Sequence, residues 1–136
     1  MNIALIARER KKELMIRFCI AYKSILSKHN LFATAGTARI AKTSELDLVA
    51  FLSGTLGGYH QISSKISCGE IDVVFFFRDA HSNSYVDQGE IELLKNCDFC
   101  NIPLATNIAT AEVLVRGIEN GSLDWRNLAN QKLRSF

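Results

Sequence analysis

The chain has 136 residues, of which 48% are hydrophobic and 22% charged, and a formal net charge of +2. That length suits one domain able to bury roughly two thirds of its unfolded surface, and the composition is globular rather than disordered. A net charge this small provides no electrostatic footprint for nucleic acid or a membrane surface, and no apolar run reaches the ~20 residues of a bilayer span.

The first segment, MNIALIARERKK, places its charges after the apolar stretch, the reverse of a secretory signal. A cytoplasmic location is therefore expected. NIALIA (2–7) reads as a buried strand. Residues 9–28 read as one long amphipathic helix, with Leu14, Phe18, Tyr22, Ile25 and Leu26 at helical spacing and Asn30 as its C-terminal cap. LFAT (31–34) is the second strand, and TARIAKTS opens a short helix. LDLVAFL (46–52) is the third strand, followed by the glycine-rich SGTLGG and a helix over HQISSKISCGE. IDVVFFF (71–77) is apolar nearly throughout, as a strand covered on both faces should be. A loop, the helix EIELLKNC, the strand IPLATN (102–107) and the helix IATAEVLVRGIEN complete the series.

Five strands alternating with helices define an α/β, three-layer sandwich: a five-stranded parallel sheet with helices on both faces. In such folds ligands bind outside the carboxyl ends of the strands. The residues standing there are polar. Thr34, Gly36 and Thr37 follow the second strand, and Ser53 and Gly54 follow the third. Lys12 can reach over from the first helix. Hydroxyls, glycines and helix-starting amides suit an oxyanion, and most directly a phosphate. The plainer alternative for each cluster is turn chemistry and N-capping. Arg8 and Lys12 lie one helical turn apart, and positive charge at a helix start opposes the dipole unless an anion binds there.

Cys19, Cys68, Cys97 and Cys100 read as reduced thiols. Cys97 and Cys100 form a CxxC, yet no second pair stands at metal spacing, and the motif follows a helix rather than opening one. It reads as a helix C-terminal turn. No metal or cofactor is expected.

The ordered series NIALIAxxxxK, LFATxGT, FLSGxxGG, GEIDVVFFFxD and NIPLATNIATAE resembles the methylglyoxal synthase family over residues 2 to about 118. The resemblance implies that family's fold, hexameric assembly and reaction, in which dihydroxyacetone phosphate yields methylglyoxal and phosphate. A carboxylate base takes a proton alpha to the carbonyl and the enediolate expels phosphate. The family's phosphate-gripping lysine maps to Lys12, its hydroxyl and glycine loop to Thr34, Gly36 and Thr37, and its Ser-Gly pair to Ser53 and Gly54.

The departures fall on the catalytic side. Where the family carries its principal aspartate, this chain has Tyr59; its histidine and second aspartate fall on Val86 and Gly89. The histidine near the end of the first strand becomes Arg8, and the aspartate after it Glu9. Asp79 and Asp72 remain. Tyrosine, with an ordinary pKa near ~10, is a poor base at neutral pH. His60, His81 and Asp87 stand nearby as candidate replacements, against the plainer reading of solvated loop residues. Asp79 is either an active-site carboxylate, a turn cap or a partner for Arg78 or Arg8. Asp72 reads as structural, and Trp125 and Phe136 as packing or subunit contacts.

Three functions are in competition. A protein that kept the phosphate site and lost turnover is slightly favoured. A lyase with a substituted base is the alternative, with His60 and Asp79 as catalytic candidates, and a purely structural subunit comes third. The expected partner is a small phosphorylated metabolite or inorganic phosphate.

Overall fold

A computed structural model describes residues 1–81 and 87–126. Its five-stranded sheet has the order β3-β2-β1-β4-β5, all parallel. The strands are β1 (Asn2–Ala7), β2 (Asn30–Ala33), β3 (Val49–Ala50), β4 (Val73–Phe77) and β5 (Leu104–Ala105). The helices are α1 (Lys12–Ala21), α2 (Lys23–Leu26), α3 (Ala35–Ala41), α4 (Gly58–Ser67), α5 (Gln88–Phe99) and α6 (Ile108–Glu119).

The period-two alternation of β1 divides the core in two. Ile3, Leu5 and Ala7 face a cluster with Met15, Phe18, Ala38, Ala111 and Val115, from α1, α3 and α6. Ala4 and Ile6 face the other side, with Ile62 and Ile66 of α4 and Leu93 and Cys97 of α5. Helices therefore cover both faces, which is why β1 and β4 read as unbroken apolar runs. Phe18 meets Phe75 and Phe77 of β4 at ring-centroid distances of 5.1 and 5.5 Å. Its truncation to alanine removes ~3–5 kcal/mol of stability.

Four details differ from the sequence expectation. The long helix over 9–28 is broken into a 3-10 turn (Glu9–Lys11), α1 and α2. Tyr22 is the hinge, its ring against Phe18 at 5.2 Å and its hydroxyl donating to Glu112 at 2.8 Å. Asn30 does not cap that helix. It opens β2, donating its N–H to the Met1 carbonyl and its side-chain amide to Asn2, each at 3.0 Å. The edge strands are shorter than expected. β3 pairs only with the far end of the four-residue β2. Just before β5, Pro103 has no N–H to give and only accepts, from Val74 at 3.0 Å.

The CxxC closes a helix as expected, with Cys97 in the last turn of α5 and Cys100 at its C-cap. Burial pushes the thiols of Cys97 and Cys19 up to about 12. Among the described residues, no helix is long and apolar enough to cross a membrane.

Candidate functional site: an anion cleft at the strand carboxyl ends

Because β2 lies on one side of β1 and β4 on the other, the chain leaves β1 at a switch point of the sheet. The loops there enclose a cavity of about 490 Å³ lined by Arg8, Glu9 and Lys12, by Thr34, Gly36 and Arg39, and by Ser53, Gly54 and Tyr59. Six of the seven residues read from the sequence as phosphate contacts line it together.

Each arrives by a local rule. Thr34, extended at φ −64° and ψ 156°, is the N-cap residue of α3, so the first-turn amides of that helix open beside it. Gly36 has no side chain, and a Cβ there would overlap the Lys12 ammonium. Lys12 therefore lies directly over bare backbone. Its Nζ is held 2.7 Å from Glu9 Oε2, and that lysine keeps the Glu9 carboxyl below its usual range. Gly57, in the left-handed region at φ +107°, and Gly58, whose Cβ would strike the carbonyls of Leu52 and Ser53, let the third loop fold tightly. The double glycine is needed for that turn.

Thr37 is the exception. Its hydroxyl is fully buried, accepts the Ala7 N–H at 3.0 Å and lies 3.3 Å from the Thr34 hydroxyl. It ties the end of β1 to α3 and does not line the cavity.

Tyr59, 4% exposed, also lines the cleft. Its ring stacks on Phe76 at 5.5 Å and packs so closely on Gly54 that a Cβ there would overlap it. Burial raises the phenol's pKa, against a smaller opposing effect from its hydrogen bond with Arg8. At neutral pH this group donates and cannot act as a base. Arg8 is held in turn by Glu90, a carboxylate only 3% exposed in the first turn of α5. Glu90 accepts from Arg8 Nη1 at 3.2 Å and from Arg78 Nε at 2.9 Å. Two guanidiniums thus share one buried carboxylate.

The catalytic candidates lie elsewhere. Asp79 borders a separate cavity of about 580 Å³ with Lys11, Arg78, His81 and Thr106. One of its oxygens lies 3.8 Å from Arg10, and the other accepts the His81 N–H at 3.0 Å. His60 is exposed, 3.5 Å from Glu92. Asp87 caps α5, accepting the Gly89 N–H at 2.7 Å. Gly89 is packed tightly: a Cβ there would stand 2.9 Å from Asp87 Oδ1 and 3.3 Å from both His60 Nε2 and Tyr59 Cβ. Asp72 is structural, accepting the Asn2 N–H at 2.7 Å, and Trp125 is exposed. Val86 and Phe136 lie outside the described residues.

Sequence reasoning missed Arg39 and Glu90. Arg39 stands three residues after Gly36, on the same helical face, so its spacing could have revealed it. Glu90 had no such signal, because a glutamate in a first helical turn ordinarily faces solvent.

The fold is thus a parallel α/β sheet with a lysine, hydroxyls and bare backbone gathered at its switch point. Residues 14–106 match the model of the MGS-like domain family. The chain is 51% identical over 135 residues to the methylglyoxal synthase of Caldicellulosiruptor saccharolyticus, covering 98% of this chain and 96% of that protein. It is 47% identical over 132 residues to that of Thermoanaerobacter sp. strain X514, covering 96% of this chain and all of the relative. The crystal structure of the methylglyoxal synthase from Elizabethkingia anophelis NUHP1 superposes with a TM-score of 0.74 at 32% identity, over 84% of this chain and 76% of that one. The chain belongs to the methylglyoxal synthase family.

Proposed function

We propose that the cleft binds a small phosphorylated ketone of the kind a methylglyoxal synthase acts on, and that the chain is a lyase working below its relatives' rate. The Lys12 ammonium lying directly over Gly36, with Thr34 and Ser53 in the same cavity, carries the phosphate-binding part. The relatives' shared name, at identities of 47–51%, supports turnover over the non-catalytic role that the sequence reading put first. Within the cleft lining the carboxylate is Glu9. It is ionised at neutral pH but engaged with Lys12 and lowered in basicity, so a rate ~10²–10⁴-fold below that of a well-placed base is expected.

A second reading, binding without turnover, is favoured by one observation: the position of the family's principal carboxylate holds a buried, protonated Tyr59. The test is incubation of the purified protein with dihydroxyacetone phosphate, assaying methylglyoxal, beside the Tyr59→Asp variant. Product from the wild-type chain supports the lyase. Product only from the variant supports binding alone. No thermal stabilisation by inorganic phosphate overturns both.

A cytoplasmic location and the hexamer that the resemblance implies belong to the same proposal. The exposed apolar residues Ile20, Phe99 and Val113 support assembly, and light scattering tests it.

A further inference from the structure

The CxxC motif takes no part in the cleft, and its two thiols part company in the structure. Cys97 is fully buried, packed with Ile62, Ile66 and Leu93 between α5, α4 and the sheet. Cys100, at the C-cap of α5, instead lines a cavity of about 440 Å³. The wall of that cavity includes Ile71 and Ile102, which lead into β4 and β5, so it lies at the amino ends of the strands, opposite the cleft. It also includes Cys68, the C-cap of α4. Cys100 therefore shares its cavity with a cysteine of the neighbouring helix and not with its motif partner. Asn96 holds the two helix ends side by side. Its side-chain N–H groups donate to the Ser63 carbonyl at 2.9 Å and to the hydroxyl of Ser67, the residue before Cys68, at 2.8 Å. Its side-chain oxygen accepts from Cys100 Sγ at 3.4 Å. Asn96 and Cys100, four residues apart, thus share the face of α5 turned toward α4. Facing residues of packed helices come within the ~7 Å between Cα atoms that a disulfide can span. Of the two thiols, Cys68 is exposed and Cys100 half-buried.

We infer that Cys68 and Cys100 form a dithiol modification site, which closes to an intramolecular disulfide by exchange with a small-molecule disulfide such as oxidised glutathione. The accessible Cys68 thiolate attacks one sulfur of the oxidant. A mixed Cys68–glutathione disulfide forms, the oxidant's S–S bond breaks, and one glutathione leaves, taking up the proton that Cys68 gave up. Cys100 then attacks the Cys68 sulfur, forming the protein disulfide and releasing the second glutathione with the proton from Cys100. The two protein thiols together lose two electrons, and the oxidant gains two. In a reducing compartment the same exchange runs backwards, so the modification is reversible. The bond would tie the end of α4 to the end of α5, the helices whose first turns carry Tyr59 and Glu90. The inference does not depend on what the cleft binds or turns over.

Oxidation of the full-length native chain with glutathione disulfide, followed by non-reducing peptide mapping and thiol counting, tests it. The peptides carrying Cys68 and Cys100 should become linked, and free thiols should fall from four to two and return with dithiothreitol. In Cys100→Ser the reaction should stop at glutathione attached to Cys68. A bifunctional bimane, which fluoresces once both arms have alkylated neighbouring thiols, should label the reduced chain and lose that signal in Cys68→Ser and in Cys100→Ser. If Cys100→Ser fails to fold, the peptide map of the unmodified chain decides alone. Glutathione left on Cys68 of the unmodified chain without closure overturns the inference. So do a link from either cysteine to Cys97, a disulfide between two copies of the chain, and four thiols that stay free.

Discussion

Lys12 Nζ stands 2.7 Å from Glu9 Oε2 while lying over the backbone of Gly36, so the cation proposed to hold phosphate is already engaged by a carboxylate of its own helix start. An incoming phosphate must displace Glu9. The variant Glu9→Gln removes that competitor and should tighten inorganic phosphate binding about two- to fivefold at low ionic strength, as exposed ion pairs of this kind are weak. The gain should shrink in ~0.5 M salt, where screening shortens the reach of both charges. Titration calorimetry reads both effects. The same variant should lose most of any methylglyoxal production if Glu9 is the base.

Thr37 sits in the glycine and hydroxyl loop but serves the scaffold, since its buried Oγ1 accepts the Ala7 N–H at 3.0 Å. Thr37→Val keeps the shape and orphans that amide. Stability should fall by about 1–3 kcal/mol in urea denaturation, with the affinity for phosphate changed by less than about twofold. A variant that keeps its stability and loses phosphate would show that the hydroxyl faces the ligand instead.

Tyr59→Asp places a carboxylate beside the guanidinium of Arg8 and deletes a ring stacked on Phe76. The cavity left behind should lower stability by about 3–5 kcal/mol, the usual range for truncating a buried aromatic. Methylglyoxal production should rise by at least about tenfold over the unmodified chain. A variant that folds, as judged by circular dichroism, and yet produces no more methylglyoxal would remove Tyr59 as the reason for slow turnover.

The alkaline limb of stability should be governed by Cys19 and Cys97. Both thiols are pushed by burial from an ordinary 9.0 up to about 12, so the folded chain holds these protons more tightly than the unfolded one. Their contribution is complete below pH ~9 and drains away as pH rises toward ~12, by up to about 1.4 kcal/mol per pH unit for each thiol. The urea midpoint should therefore fall steeply above pH ~9, and the double variant Cys19→Ala/Cys97→Ala should fall less steeply. At pH ~8, iodoacetamide should label the exposed Cys68 and spare both buried thiols.

The legible parts of the fold were those whose environment is symmetrical. NIALIA and IDVVFFF are covered on both faces, so burial alone explains their composition. The edges were harder: how far β3 and β5 extend depends on the length of β2 and on the missing amide of Pro103, which no local pattern states. At the site, the glycine and hydroxyl residues that line the cleft were readable because their spacing after the strands is local. The Arg8–Glu90–Arg78 cluster was not. Glu90 is buried in the first turn of α5, and its role appears only when Arg8 and Arg78 converge on it from two separate strand ends. Thr37 belongs to the loop that lines the cleft but ties down the end of β1, since facing direction depends on where β1 ends.

Gly89 carries an implication for how such a domain could change over evolutionary time. Any side chain introduced there must displace the Asp87 carboxylate, which would stand 2.9 Å from its first carbon and which caps α5. An acidic replacement at that position therefore unsettles the helix whose next residue, Glu90, steers Arg8. A substitution at 89 is therefore coupled through the Asp87 cap to the start of the helix that carries Glu90, and exchanges at 87 and 89 should not be independent.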